Sequence, residues 1–369
     1  MVGPVYPYRG GIAHYTSSLA KAFVRSGHQL QMISYQRQYP AALYPGETDK
    51  DPSVDPARVE AQYLLDPLYP WTWRRTARAI LESRPDLALI QWWTTFWAPA
   101  YAVLAHELRQ STRVVYLIHN VLPHESRPWD RWAARLALAQ GQAFIVQAPH
   151  EQKRLSQLIP NAAISYCSLP AYEHFSAQIV SKETARRQLG LPAGVPLFLF
   201  FGIVRPYKGL KYLIEALAQI SVPFHLLVAG EFWESILKYE KRVEQLHLSA
   251  HVTFINKYIP NEEAHLMFAA ADALVAPYVE GTQSAAVGAS LGYGLPTIVT
   301  QKIAAGIPTD THGLQILPAG DAAALAHAMT RVARSLPLPA ANQSPRDAWR
   351  GLVKVVEELH ESSLRNSND

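Results

Sequence analysis

Two hydrophobic periods alternate along this chain, and their order sets the fold class. Short continuous apolar runs, the mark of strands buried on both faces, alternate with stretches whose apolar residues recur every three or four positions, the mark of amphipathic helices. The clearest pair lies at the centre. Val195 to Phe201 reads as a buried strand, and Leu210 to Ile220 carries Leu210, Leu213, Ile214 and Leu217 on one helical stripe. The intervening segment, Gly202 to Gly209, is therefore a strand-to-helix loop at a strand's carboxyl end, where open α/β sheets bind ligands.

The same alternation continues in both directions. Upstream, helices are expected over Ile12 to Ser26 and Thr72 to Ser83, and strands over Gln29 to Tyr35, Leu87 to Gln91, Val114 to Ile118, Phe144 to Gln147 and Ile164 to Ser168. Gln38 to Val54, rich in Pro, Tyr, Gly and acidic residues, reads as a long mobile loop. Only Met1 to Val5 is available as a strand before the first helix, so that edge strand is very short or begins upstream of residue 1. Downstream, strands are expected at Leu197 to Phe201, His225 to Ala229, Val252 to Ile255, Ala273 to Ala276 and Thr297 to Val299. Between the two sets, Pro170 to Pro196 is polar, mixed in charge and bounded by prolines, with a helix at Lys182 to Leu189. The expectation is an N-terminal domain over 1–170, a linker over 171–196 and a second domain over 197–345. Strand and helix alternate in both domains, which predicts two doubly wound parallel sheets facing across a cleft. Asp347 to Leu364 is an amphipathic helix whose stripe includes Trp349, Leu352, Val356 and Leu359.

Composition narrows the class. A length of 369 residues suits two domains, and 49% hydrophobic against 17% charged residues allows a large core. One cysteine, Cys167, excludes a disulfide framework and a cysteine-rich zinc site and fits a reducing, cytoplasmic setting. Met1 to Gly11 lacks a signal-peptide pattern. The one charge-free stretch of membrane-spanning length, Leu87 to Ala105, contains Gln91, Thr94, Thr95 and Pro99 and reads better as a strand, a loop and a helix start. The net charge of +4 is concentrated in the first half: residues 1–170 hold 17 Lys and Arg against 12 Asp and Glu, or +5. No tight basic run interleaves with aromatics, so a nucleic-acid partner is not expected.

Candidate chemistry sits on the post-strand loops. Arg205 and Lys208, three residues apart beside Gly202, could hold a diphosphate from two sides; alone they would read as two solvated charges. Gly10 and Gly11 open a helix whose free N–H groups form a second anion site. His119, at a strand's carboxyl end, could donate to a substrate oxygen near neutral pH, or be structural. Trp92, Trp93, Phe96 and Trp97 could stack on a sugar, meet lipid headgroups, or pack beneath their own loop. Arg127, Arg131 and Arg135 with Trp129 and Trp132 make a basic-aromatic helix face, either simply solvated or in contact with the inner face of a membrane.

With these segments placed, the chain resembles the retaining glycosyltransferases of the GT-B fold, the large family 4. The resemblance rests on Gly-Gly-Ile-Ala-His-Tyr at 10–15, His119-Asn120, Phe-Gly-x-x-Arg-Pro-Tyr-Lys-Gly at 201–209, Ala-Gly-Glu at 229–231, Ala-Asp-Ala-Leu-Val-Ala-Pro-Tyr at 271–278 and Gly-Leu-Pro at 294–296. It implies a nucleotide sugar donor held mostly by the C-terminal domain, and a saccharide or lipid-linked acceptor held mostly by the N-terminal one. Arg205, Lys208 and Gly11 would neutralise the departing diphosphate, His119 would lie near the donor sugar, and Trp92, Trp93 and Asn120 would face the acceptor. It also implies a reaction without a bound metal or other cofactor, and a last helix, within 346–364, that crosses back to the N-terminal domain.

One departure from the family pattern is plain. Its two glutamates, with seven residues between them before Gly-x-Pro, fall here on Gly281 and Ala289, with Glu280 one place off. The loop reads Glu280-Gly281-Thr282-Gln283-Ser284 and resembles a branch with Thr-Gln-Ser at this point. Gly281, Thr282, Gln283 and Ser284 would still present hydroxyl, amide and backbone donors to phosphate. Two other readings remain: a catalytically degenerate homologue partnering an active transferase, and a GT-B sugar epimerase, for which this loop supplies only Glu280.

Overall fold

The computed structural model describes residues 1–123, 125–170, 180–305, 307, 311–335 and 349–366. The chain forms two compact units. One gathers Met1–Asp51, Ala57–Pro170 and Trp349–Asp369; the other gathers Pro52–Pro56 and Ala171–Ala348. The first contains, in chain order, α1 (Gly11–Arg25), β1 (Ile33–Tyr35), β2 (Gln62–Leu65), α2 (Pro70–Glu82), β3 (Leu87–Trp92), α3 (Ala98–Leu108), β4 (Arg113–Ile118), α4 (Asp130–Leu138), β5 (Ala143–Val146), α5 (Pro149–Leu158) and β6 (Ile164–Tyr166). The second contains α6 (Lys182–Gln188), β7 (Leu197–Phe201), α7 (Leu210–Leu217), β8 (His225–Ala229), α8 (Leu237–Gln245), β9 (Val252–Ile255), α9 (Asn261–Ala270), β10 (Ala273–Ala276), α10 (Ala285–Gly292), β11 (Thr297–Thr300), β12 (Leu314–Leu317) and α11 (Ala322–Arg334). α12 (Arg350–Asn366) returns to the first unit.

In the first unit β3, β4, β5 and β6 pair in that order, all parallel, with Leu87 opposite Arg113 and Trp92 opposite Ile118. β1 and β2 form a second parallel pair. Val2 joins the two groups. It bridges Ile33 on one side and Ile90 on the other, and its N–H and C=O bond Leu89 and Gln91. The short first strand is thus central, not at an edge as expected, because it is the only backbone that fills the gap between β1 and β3. Leaving Val2 the chain steps through α1 to β1; from β3 it steps the other way through α3, α4 and α5. Right-handed crossovers therefore put α1 on one face and α2, α3 and α4 on the other, and α2–α3 and α3–α4 are packed neighbours.

The second sheet runs β12-β11-β10-β7-β8-β9, all parallel. Its four inner strands are buried along nearly their whole length, the edge strands β9 and β12 less so, and separate clusters pack on its two faces. α6 is tied to it through Asp272, whose carboxylate accepts from Lys182 Nζ (2.5 Å), Arg186 Nη2 (2.5 Å) and the Leu197 N–H (2.7 Å). The segment 38–54 is irregular apart from one 3₁₀ turn, yet it is anchored rather than loose. The Lys50 ammonium lies 3.7 Å from the centre of the Tyr8 ring, Asp51 N–H donates to Pro7, and Ser53 Oγ accepts from the Asn261 N–H at the start of α9. The strand expected from Gln29 is only three residues long, because Val2 and β2 offer it no longer partner.

α12 packs on α1, and Trp349 just before it is buried edge-on against Tyr15, ring centres 4.9 Å apart. A buried indole of this size carries about 3–5 kcal/mol when cut to alanine. Trp349→Ala is expected to lower unfolding stability by that order, measured by urea denaturation.

Candidate active site

The second sheet reverses direction at β7. From β7 the chain moves outward through α7 to β8, while β10 pairs on the other side. This is a topological switch point, and the loops after β7 and β10 emerge side by side at its carboxyl edge. They are joined directly: the Val279 N–H donates to the Tyr207 carbonyl at 2.8 Å, and the Tyr207 and Tyr278 rings meet edge-on, 5.9 Å apart. The loop after β8 joins them through Val204 N–H to Glu231 O (2.8 Å) and Trp233 N–H to Val204 O (3.1 Å).

Into this junction the β7 loop delivers its two cations. Lys208 is partly buried, with Nζ 5.4 Å from the centre of the Tyr278 ring. Gly202 makes room for it: φ is +97°, and an added Cβ would stand 3.2 Å from the ammonium. Arg205 lies over Trp233, 5.4 Å from the ring centre, and over Tyr207 at 5.7 Å. Trp233 Nε1–H in turn donates to the Glu231 carboxylate at 2.9 Å. Among the described residues no carboxylate pairs with Lys208. Burial pushes its pKa below the ordinary 10.5, and repulsion from Arg205 adds to the effect, partly offset by Tyr207. Folding thus holds a cation where its charge is disfavoured; an anion beside it would relieve that cost.

The β10 loop leads to the N-terminus of α10. Ser284 caps that helix, its Oγ accepting from the Val287 N–H and sharing a 3.1 Å hydrogen bond with Tyr278 OH. Thr282 is buried, and its Oγ1 has no hydrogen-bond partner among the described residues. Gly281 has φ +147°, and a Cβ there would come within 2.8 Å of Ile303. The backbone at this position is shaped for glycine, so a glutamate could not simply replace it. Glu280 is exposed, Gln283 half-buried, and Ala289, where the second glutamate would fall, is fully buried.

In the first unit the loop after Val2 ends at Gly10 and Gly11. Gly10 is the N-cap of α1, with φ +103° and no side-chain cap, which leaves the first-turn N–H groups open. His119 follows β4 and is 4% exposed. Its Nε2 is 2.8 Å from Gln91 Oε1, and its ring meets Tyr15 edge-on at 4.7 Å. Burial lowers its pKa to about 3, so the ring is neutral near pH 7, contrary to the expectation of a donor that titrates there. Asn120 beside it is half-buried, and the Val121 N–H next along is fixed by the buried Glu151 carboxylate at 2.5 Å.

Trp92 corrects a second expectation. It is wholly buried, its Nε1–H donating to Val121 O at 3.2 Å, and Trp97 is buried likewise. Neither can face an acceptor; these two aromatics pack beneath the loop. Trp93 is half-buried, and its indole N–H donates to Tyr39 OH at 3.0 Å.

Comparison with known proteins accounts for both units. Residues 10–167 match the Glycosyl transferase 4-like domain, and residues 195–335 match the Glycosyl transferases group 1 domain. The chain carries the two domains of a GT-B glycosyltransferase. No curated protein matches it by sequence. Among solved structures, it is similar to Anabaena HepE in complex with UDP, with a TM-score of 0.71 at 15% identity over 99% of both chains. It is similar to sucrose-phosphate synthase of Thermosynechococcus elongatus, with a TM-score of 0.66 at 20% identity over 100% of this chain and 94% of that one. The catalytic domain of Arabidopsis thaliana starch synthase IV, bound to ADP and acarbose, gives 0.67 at 15% identity over 99% and 98%.

Within this glycosyltransferase, Gly202, Arg205, Lys208, Glu280, Gly281, Thr282, Gln283 and Ser284 gather on adjacent loops of the second unit. Gly10, Gly11, His119 and Asn120 gather on carboxyl-edge loops of the first. Sequence reasoning missed Gln91, Tyr15, Glu151, Tyr278 and Trp233. Gln91 carried a signal: a lone amide at the end of a wholly apolar strand needs a buried partner, and His119 is that partner. No residue cluster able to hold a metal ion occurs among the described residues.

The His119 environment has a measurable consequence. The folded ring titrates at about 3 and the unfolded one near 6.5, so between these values the unfolded chain binds the extra proton and stability falls as pH falls. His119→Gln is expected to flatten that part of the pH dependence, measured by urea unfolding from about pH 7 to about pH 4.

Proposed function

We propose that this protein is a retaining hexosyltransferase that takes a nucleoside diphosphate sugar as donor and passes the hexose to a saccharide or lipid-linked acceptor in glycan or glycolipid synthesis. The observation that carries the reading is the Lys208 ammonium, partly buried at the switch point with its pKa lowered and, among the described residues, no carboxylate paired with it. A diphosphate placed beside it would offset that charge. As the glycosidic bond breaks, negative charge grows on the departing diphosphate, and fixed cations and N–H groups at that place lower the barrier without reorganising.

In this reading Lys208 and Arg205 bind the diphosphate. Gly202 lets the backbone approach it closely, and the α10 N-terminus with Thr282, Gln283 and Ser284 contributes hydroxyl, amide and backbone donors. Gly10 and Gly11 offer the open N–H groups of α1 as an anion site of the first unit. His119, neutral at working pH, shapes the sugar side as a hydrogen-bonding group and not as a titrating acid; Asn120 and Trp93 belong to the acceptor side. Retention follows from attack on the face the leaving group vacates, with the phosphate taking the acceptor's proton. The cations replace a metal as the charge stabiliser, so no cofactor is required.

A second reading is favoured by one observation. Gly281 and Ala289 occupy the positions of the two glutamates, and Gly281 has a backbone that a glutamate would strain. A chain that binds a nucleotide weakly and serves as the partner of an active transferase would look like this.

The test is turnover with a panel of UDP-, GDP- and ADP-hexoses, with and without chelator, alongside Lys208→Ala. The variant should keep wild-type thermal stability, since it removes a disfavoured charge, and lose roughly 10²–10³ in kcat/KM. A product retaining the donor's anomeric configuration by NMR completes the assignment. Near-normal turnover by Lys208→Ala overturns it, and nucleotide binding without transfer from any donor favours the partner reading.

A further inference from the structure

Hydroxyl protons can be counted at the start of α10, and one is left over. Tyr278 and Ser284 are 4% and 7% exposed, and their oxygens lie 3.1 Å apart, so a single hydrogen bond joins two O–H groups. Two protons and one bond leave one hydroxyl with nothing to donate to among the described residues. Acidity and the helix cap decide which one. Burial pushes the Tyr278 pKa up to about 12, partly offset by the Ser284 contact, so near pH 7 the phenol keeps its proton. A phenol is a stronger acid than an alcohol and the better donor of the two. Ser284 Oγ already accepts the Val287 N–H as the cap of α10, and a serine oxygen has two acceptor positions. The Tyr278 O–H fills the second, and the Ser284 O–H is the proton left over.

Tyr278 is itself held in place. Its carbonyl accepts from Thr300 Oγ1 at 2.5 Å, and its ring meets the Tyr207 ring edge-on. The phenol oxygen is therefore delivered to Ser284 from a fixed ring. The same ring lies 5.4 Å from Lys208 Nζ, within reach of cation–π attraction. One side chain thus touches both the cation of the β7 loop and the cap of α10. Two residues before Ser284, Thr282 is 1% exposed, and no described residue takes the proton of its Oγ1. The start of α10 carries two buried hydroxyls with protons to give, at the helix end whose N–H groups already favour an anion.

We propose that Tyr278 is a positioning residue of the donor site: its hydroxyl occupies the second acceptor position of Ser284 and so commits the Ser284 O–H to a phosphate oxygen, while its ring supports Lys208 for the same diphosphate. The inference rests on the reading of this site as one for a nucleoside diphosphate, and extends it to a residue that acts through its neighbours. A hydroxyl preset in this way donates to an anion without first giving up another partner, which is the preorganisation that makes such donors effective. Phenylalanine at 278 would keep the ring beside Lys208 and remove only the proton. The serine hydrogen would then turn among several directions and be spent partly on water.

The test is a double-mutant cycle on the full chain, read by calorimetric titration with UDP, GDP and ADP. Tyr278→Phe is expected to raise the Kd of the nucleotide that binds roughly 5-fold, the worth of one hydrogen bond. Ser284→Gly, chosen because glycine is tolerated as a helix cap, should raise it by about 10-fold or more, since its lost bond is to a charged group. Adding Tyr278→Phe to Ser284→Gly should change Kd by no more than about 2-fold, because the phenol then has no serine to set. Thermal unfolding of each variant checks that it is folded. A tyrosine that only fills space would cost the same with and without Ser284. Equal weakening in both backgrounds, or wild-type affinity in Tyr278→Phe, overturns the role of Tyr278 and leaves the diphosphate reading standing. Failure of the wild-type chain to bind any of the three nucleotides overturns both.

Discussion

The pairing of β7 with β10 on one side and β8 on the other is the constraint on which the candidate donor site depends. It is a backbone property: parallel ladders in that order oblige the loops after β7, β8 and β10 to leave the same edge together. Side chains then use the position. Tyr207 carries both the carbonyl that receives Val279 and the ring that meets Tyr278, and Lys208 follows it directly, so the cation's place is set by contacts that hold the loops to each other. The cost is visible in its lowered pKa. No carboxylate among the described residues offsets that charge, whereas Asp272, just before β10 of the same sheet, satisfies two cations and a backbone N–H; an anion from outside would offset it.

The second sheet was largely legible in the sequence, and the reason is burial on both faces. Leu197–Phe201, His225–Ala229, Val252–Ile255 and Ala273–Ala276 are continuous apolar runs bounded by loops, and each forms the strand its pattern predicts. The elements that escaped are those without such a pattern. β2 is exposed over its first residues and β12 is a half-exposed edge strand, so neither shows a buried run. Val2 is a different failure: one residue with a neighbour on each side makes it the centre of a sheet, and no local pattern marks it.

For the site itself, the charged and glycine positions of the β7 and β10 loops could be read because their chemistry lies in residue type. What could not be read was environment. His119 looked able to titrate until Gln91 and Tyr15 enclosed it, and Trp92 looked available until its indole proved to be core. The Gly281 position shows the same distinction. As a letter it is a missing glutamate; as a backbone at φ +147° beside Ile303 it is a loop built to a different plan, in which Thr282 and Ser284 take the polar positions.

The central claim is that Lys208 is an uncompensated cation reserved for a diphosphate. Its most direct test is the titration of the Lys208 side-chain amine by NMR, assigned with Lys208→Arg, with and without UDP, GDP or ADP. The account predicts an apo value below the ordinary 10.5 that rises when a nucleoside diphosphate binds. An apo value at or above 10.5, or a nucleotide that binds and leaves it unmoved, would contradict the account.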